Sequence, residues 1–329
     1  MKDTDYLAIS TRVRAMENRL LTRERRERML DARTDEEVIK ILMECGYAEP
    51  ENLSVPAVNA VLSQAREELF RELKEAVPQR ELVEVFQVKY DYHNAKVLLK
   101  AEAVGEDAGR LLMSGGRYDR KALSDAFQRG TLSDCSELFR RAVEEARSVL
   151  ADRRDPQRAD LILDRACYEE MTAAAQNSGS PFLQGYVRLA IDAVNLRVAV
   201  RCARMNAGQE LLRMSLLPGG NVDPQAIAAA KGGDLAGKFA ASALESAAQS
   251  GASLTAPGGW SLTHFEQLCD DALMDYLAQA RRVAFGEQPV VGYLCAREAE
   301  ATAIRTILSG RKAGLSGEEI RERLRESYV

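Results

Sequence analysis

The chain repeats itself, and that limits its fold more than any single residue does. Asp91-Tyr92-His93-Asn94-Ala95-Lys96 and Asp192-Ala193-Val194-Asn195-Leu196-Arg197 both read Asp-x-x-Asn-x-Lys/Arg, 101 residues apart. The residues after each copy match as well. Leu112-Met113-Ser114-Gly115-Gly116 leads to Asp119 and then Ala122-Leu123, while Leu216-Leu217-Pro218-Gly219-Gly220 leads to Asp223 and then Ala226-Ile227. A looser third copy opens at Glu300-Ala301-Thr302-Ala303-Ile304-Arg305, 108 residues after Asp192, and reaches Gly314-Leu315-Ser316 and Glu319-Ile320. Physically each copy is a helix, a glycine-ended turn, and an N-cap (Asp119, Asp223 or Ser316) opening the next helix. Pro224 stands at a first helical position, where its missing N–H costs nothing. The pattern predicts three related helical units, 1–117, 118–221 and 222–329, with the turns at 115–116, 219–220 and 314 in equivalent places.

Composition agrees with helices. Aromatics make up only 6% of the 329 residues, hydrophobic residues 46%, and Ala, Leu, Arg and Glu dominate. Apolar residues recur at helical spacing in Tyr6, Ile9, Val13, Met16 and Leu20. Ile320 and Leu324 lie one turn apart among charges, which predicts an amphipathic helix from Leu315 to the end. Gly232-Gly233, Gly251 and Pro257-Gly258-Gly259 predict turns. A net charge of −5 argues against a general nucleic-acid binder. No run approaches the roughly 20 apolar residues that span a bilayer. Met1-Lys2-Asp3-Thr4-Asp5 leads into no apolar stretch of a secretory signal, so the chain is expected in the cytoplasm.

Catalytic and metal chemistry find little support. The six cysteines are scattered without Cys-x-x-Cys and read as reduced, buried small hydrophobes. His93 and His264 each stand alone. Gly232-Gly233-Asp234-Leu235-Ala236-Gly237-Lys238 fits the phosphate-loop spacing. Phe239 stands where a Ser or Thr should hold Mg²⁺, however, and a helix rather than a strand precedes it. That segment reads as a connecting turn, and no cofactor is expected. The acidic and amide positions of the repeat, Asp91, Asn94, Asp192, Asn195 and Glu300, fall on one helix face, since three residues turn it by about 300°. Two readings stay open: side chains bonding backbone at unit junctions, or a polar face lining a shared central surface.

Tyr6–Leu21, Asp91–Lys100, Asp192–Arg201 and the stretch from Glu298 to Val329 resemble the C subunit of bacterial and archaeal V/A-type ATPases, the counterpart of the eukaryotic V-ATPase d subunit. The C-terminal stretch is the most telling, with Arg297-Glu298-x-Glu300, Ile304-Arg305, Gly314-Leu315 and Ile320-Arg321-Glu322-Arg323-Leu324. Residues 215–265 match least. The resemblance implies an all-α funnel of three similar units about a pseudo-threefold axis. It implies a non-catalytic socket that receives the central stalk (the D and F subunits), sits on the membrane rotor ring, and neighbours the membrane stator subunit. On that reading the turns at Gly115, Gly116 and Arg117, at Gly219, Gly220 and Asn221, and at Gly314 and Ser316 are candidates for the interface rim. A helical-repeat adaptor for an unrelated partner is the alternative, since a fold does not set a function.

Overall fold

In this computed structural model residues 3–230, 234–254 and 261–329 are described, and among them all regular structure is helical. Helix starts follow from capping side chains. Thr22, Thr34, Ser54, Asp119, Ser136, Asp155, Ser180, Asp223, Ser261 and Ser316 each accept a hydrogen bond from the first-turn backbone they precede. All three N-caps expected from the repeat are among them.

After a short 3₁₀ turn come α1 (Leu7–Glu17), α2 (Arg23–Asp31) and α3 (Asp35–Glu44). A hairpin of α4 (Val55–Ala76) and α5 (Glu81–Val104) follows, with α6 (Arg120–Arg129) and α7 (Glu137–Arg153) after it. The second hairpin is α8 (Pro156–Asn177) and α9 (Pro181–Arg204), trailed by four short helices. These are α10 (Gln209–Ser215), α11 (Pro224–Ala229), α12 (Asp234–Lys238) and α13 (Glu245–Ser253). The third hairpin, α14 (Leu262–Ala278) and α15 (Glu287–Lys312), is followed by α16 (Gly317–Arg321).

The hairpins pack in a closed circuit. α5 lies along α8, α9 along α14, and α15 along α4, while each hairpin also packs its own two helices together. Three buried apolar clusters fill the structure. The largest runs through α1, α5, α7, α8 and the starts of α9 and α15. A second lies between α9, α11, α13 and α14. The third joins both ends of the chain: Leu21, Met29, Val38 and Leu42 pack with Ile304, Ile307, Ile320 and Leu324. Five of the six cysteines are buried and Cys135 is half-buried.

Three local expectations need correction. The terminal helix stops at Arg321, and residues 322–329 run on without helix. There Ile320 and Leu324 are buried against the third cluster rather than forming a continuing stripe. Gly251 lies inside α13, where a Cβ would crowd Val200 and Phe265, so it serves close helix packing and not a turn. Gly314 (φ +72°) ends α15, with Gly314 N–H bonding Arg311 O and Leu315 N–H bonding Gly310 O. Its counterpart is Gly105 (φ +73°) at the end of α5, not the Gly115-Gly116 turn. Pro257-Gly258-Gly259 and Gly232-Gly233 lie outside the described residues.

Candidate functional site: three carboxylate clasps

The repeated acidic residue sits midway along each long helix and is buried: Asp91 on α5, Asp192 on α9 and Glu300 on α15. A buried carboxylate needs donors. Asp91 takes one from Arg117 Nε (2.6 Å) and one from the backbone N–H of Tyr118 (3.3 Å), the residue before the N-cap Asp119. Asp192 accepts from the backbone N–H of Asn221 (3.0 Å), from Asn221 Nδ2 (2.8 Å), and from the N–H of Val222 (3.0 Å), the residue before the N-cap Asp223. Glu300 accepts from the N–H of Leu21, the residue before the N-cap Thr22, and from Tyr47 Oη at 2.7 Å. Each carboxylate therefore clasps the strand of backbone that leads into a capped helix. The third clasp is closed by the N-terminal segment, from the far end of the chain.

The repeated amide completes the first two. Asn94 donates to Met113 O and accepts from Met113 N–H, both at 2.8 Å. Asn195 does the same with Leu217, at 2.8 and 2.7 Å. The third copy has Ala303 here and lacks this bond pair. The paired glycines now have a reason. A Cβ on Gly116 would overlap Asp91 Oδ1, and one on Gly220 would overlap Asp192 Oδ1. Gly115 and Gly219, at φ +92° and +96°, turn the chain beside them.

The basic position of the motif reaches outward instead. Lys96 pairs with Asp164 (2.5 Å) and Lys100 with Asp160 (2.7 Å), both on α8 of the next hairpin. Arg197 pairs with Glu266 (2.6 Å) and Asp270 (2.5 Å), and Arg201 with Glu266 (2.6 Å), both on α14. Arg305 bonds Asn59 Oδ1 (2.8 Å) on α4, carrying the same tie from the last hairpin to the first. Asp and Asn thus fix the turn within a unit, and Lys or Arg joins that unit to its neighbour.

Burial governs the electrostatics. It raises Asp91 to about 6 against the pull of Arg117 and the Tyr118 N–H. Burial likewise raises Asp192 and Glu300 from their ordinary values. Arg117 also grips Glu170 on α8 with two bonds of 2.9 and 3.0 Å; against burial, these hold Glu170 below its ordinary value. Arg117 is thus an internal clamp with only 13% of its side chain exposed. Gly115 and Gly116 are half-buried, as is Gly220. Gly219, Asn221, Gly314 and Ser316 are exposed, and Ser316 forms a capping box with Glu319. Sequence reasoning missed Arg117–Glu170, Tyr47 and Leu21. Only the position before an N-cap could have pointed to Leu21.

The phosphate-loop-like run is not the expected connecting turn over its described part: Asp234–Lys238 form α12, and Phe239, in the place a phosphate loop gives to Ser or Thr, is fully buried. Among the described residues no group of three or more His, Cys, Asp or Glu could hold a metal. No described helix is long and apolar enough to cross a membrane.

A family model described as ATP synthase (C/AC39) subunit matches residues 9–323. The V-type sodium ATPase C subunit of Enterococcus hirae is 26% identical over 269 residues, 82% of either chain. The V-type ATP synthase C subunit of Thermus thermophilus is 24% identical over 204 residues, 60% of this chain and 63% of its own. The A-type ATP synthase C subunit of Desulfurococcus sp. is 25% identical over 234 residues, 67% of this chain and 64% of its own. The chain belongs to the ATP synthase (C/AC39) subunit family, the family of the V- and A-type ATPase C subunits.

Proposed function

We propose that this protein is a non-catalytic rotor subunit of a V/A-type ATPase. It acts as a socket between the central stalk, the D and F subunits, and the membrane rotor ring, near the membrane stator subunit. It works at the cytoplasmic face, peripheral to the membrane. The observation that carries this reading is the family match over residues 9–323. Three units in chain order, 1–117, 118–221 and 222–329, stand about a pseudo-threefold axis as a funnel, and α1–α3 also complete the last unit.

Several contacts support a funnel. The starts of α5 and α9 meet through Phe86 and Tyr186 (5.8 Å between ring centres), those of α9 and α15 through Ser180 and Glu287 (3.0 Å), and Lys89 near the start of α5 pairs with Glu298 in the middle of α15 (2.6 Å). At their far ends Val104 and Met205 are exposed. A socket under torque needs a wall that shares load, and a closed circuit of helices tied at each junction supplies one.

The rim of the socket uses Gly219 and Asn221, with Gly115 and Gly116 at its edge, and the exposed Gly314 and Ser316 between α15 and α16. Arg117 is left out of the test because it clamps two buried carboxylates; Asn221 bonds Asp192, Gly314 has φ +72° and Ser316 caps α16, so transport is compared only among variants whose thermal melts match wild type. Asn221→Trp, Gly314→Trp and Ser316→Trp should each lower coupled ion transport mildly in a reconstituted complex, and the triple variant severely. A triple variant that stays bound and fully coupled would refute this rim.

A further inference from the structure

The first two junctions of the circuit are bridged by continuous chain, whereas the third joins the two ends of the chain. Its ties differ from those of the other two. Ala303 supplies no amide bonds, and Arg305 finds a neutral partner, Asn59, where Lys96 and Arg197 find carboxylates. Glu300, Arg297 and Arg311 of α15 bond the N-terminal segment directly, and residues 322–329 lie across the same place.

We propose that segment 322–329 is a latch, and that it and the N-terminal helices α1–α3 form one unit that can open from α15 while the other two junctions stay shut. The segment stitches four elements together. Gln267 Nε2 of α14 donates to Leu324 O (3.2 Å), and Arg26 Nη1 of α2 donates to Arg325 O (2.9 Å). Arg325 Nε pairs with Asp270 (2.7 Å), and the N–H of Glu326 bonds Asp271 (2.8 Å), both on α14. Tyr328 is the anchor. It is 3% exposed and lies against Gly292 of α15, where a Cβ would come 2.6 Å from its hydroxyl and 3.1 Å from its ring. Its hydroxyl reaches Glu17 of α1 (3.4 Å), which Arg14 holds at 2.8 Å. Arg14 in turn donates to Ala280 O and Val283 O, both at 2.6 Å, just before α15. Behind the latch lies a cavity of about 360 Å³, bounded by Phe86, Tyr186, Met274 and Cys295, where the three long helices meet. The latch therefore lines one side of the cavity and pins α1 and α2 with the same residues.

Amide hydrogen exchange of the full chain, followed peptide by peptide, tests this. In Tyr328→Ala, exchange across α1–α3 should rise at least tenfold, including at Leu21, while α5 and α9 keep the wild-type rate. Tyr328→Phe, which keeps the ring in the Gly292 notch, should stay within about twofold of wild type. Arg325→Ala removes only a half-exposed ion pair, leaves Asp270 paired with Arg197, and should accelerate α1–α3 several-fold. It provides the test if Tyr328→Ala does not fold. Unchanged α1–α3 exchange in the folded variants, or an equal rise in α5 and α9, would overturn the latch.

Discussion

Asn195 and Asn94 make the same pair of bonds, yet their replacement by alanine should have unequal consequences. Asn195→Ala strips both hydrogen bonds from the backbone of Leu217, which is 4% exposed. A buried backbone group left without a partner costs about 1–3 kcal/mol, so two such groups give about 2–6 kcal/mol. Met113 is only half-buried, so water can take over at least one bond when Asn94 becomes alanine. About 1–2 kcal/mol is expected there, on the same basis. Urea unfolding of the purified chain would measure both, reading the midpoint at unchanged slope. An Asn195→Ala variant within about 0.5 kcal/mol of wild type, the range of ordinary surface substitutions, would refute this reasoning. So would an Asn94→Ala variant that proved the worse of the two.

Other substitutions probe the clasps from different sides. Gly116→Ala and Gly220→Ala should each destabilise by about 1–3 kcal/mol, as overpacking does, because Asp91 or Asp192 must retreat from its donors; thermal melts of both would check it. Arg117→Met should cost about 3–5 kcal/mol in urea unfolding, since it strands Asp91 and Glu170 together, whereas Asn221→Ala leaves Asp192 its two backbone donors and should cost far less. Asp91 gives a pH dependence of definite sign. Its pKa is raised to about 6 in the fold, so its contribution to stability is full below about pH 4 and is lost as pH rises through about 6. Measured against Asp91→Asn, the stability of the native chain should fall by at most about 3 kcal/mol between pH 4 and pH 7.

Most of the clasp was legible in the sequence, for a local reason. Asp91 and Asn94 reach a turn fewer than 30 residues away, so helix, glycine pair and N-cap appear together in one short stretch and again at Asp192. Asp192 and Asn195 serve backbone at the turns, the plainer of the two roles the spacing allows. The third copy is only half legible. Glu300 is visible, but its partner Leu21 lies 279 residues upstream, where only its place before the N-cap Thr22 hints at such a closure. Gly314 misleads because one glycine can end a helix or bend a turn, and sequence does not separate the two. The tail beyond Arg321 reads as a helix by periodicity, but tertiary contacts of Leu324, Arg325 and Tyr328 replace its helical hydrogen bonds. Arg117 joins α5 to α8 through the third dimension, and only the structure could reveal Glu170 as its second partner.

The proposed socket is tested most directly by retrieving the tagged full chain from gently solubilised membranes of cells that carry the complex, then measuring which subunits come with it. A socket should bring the D and F stalk subunits together with the rotor ring, in constant proportion to the bait through successive washes. Recovery of the chain with neither stalk nor ring, while the rest of the ATPase is intact in the same extract, would contradict it.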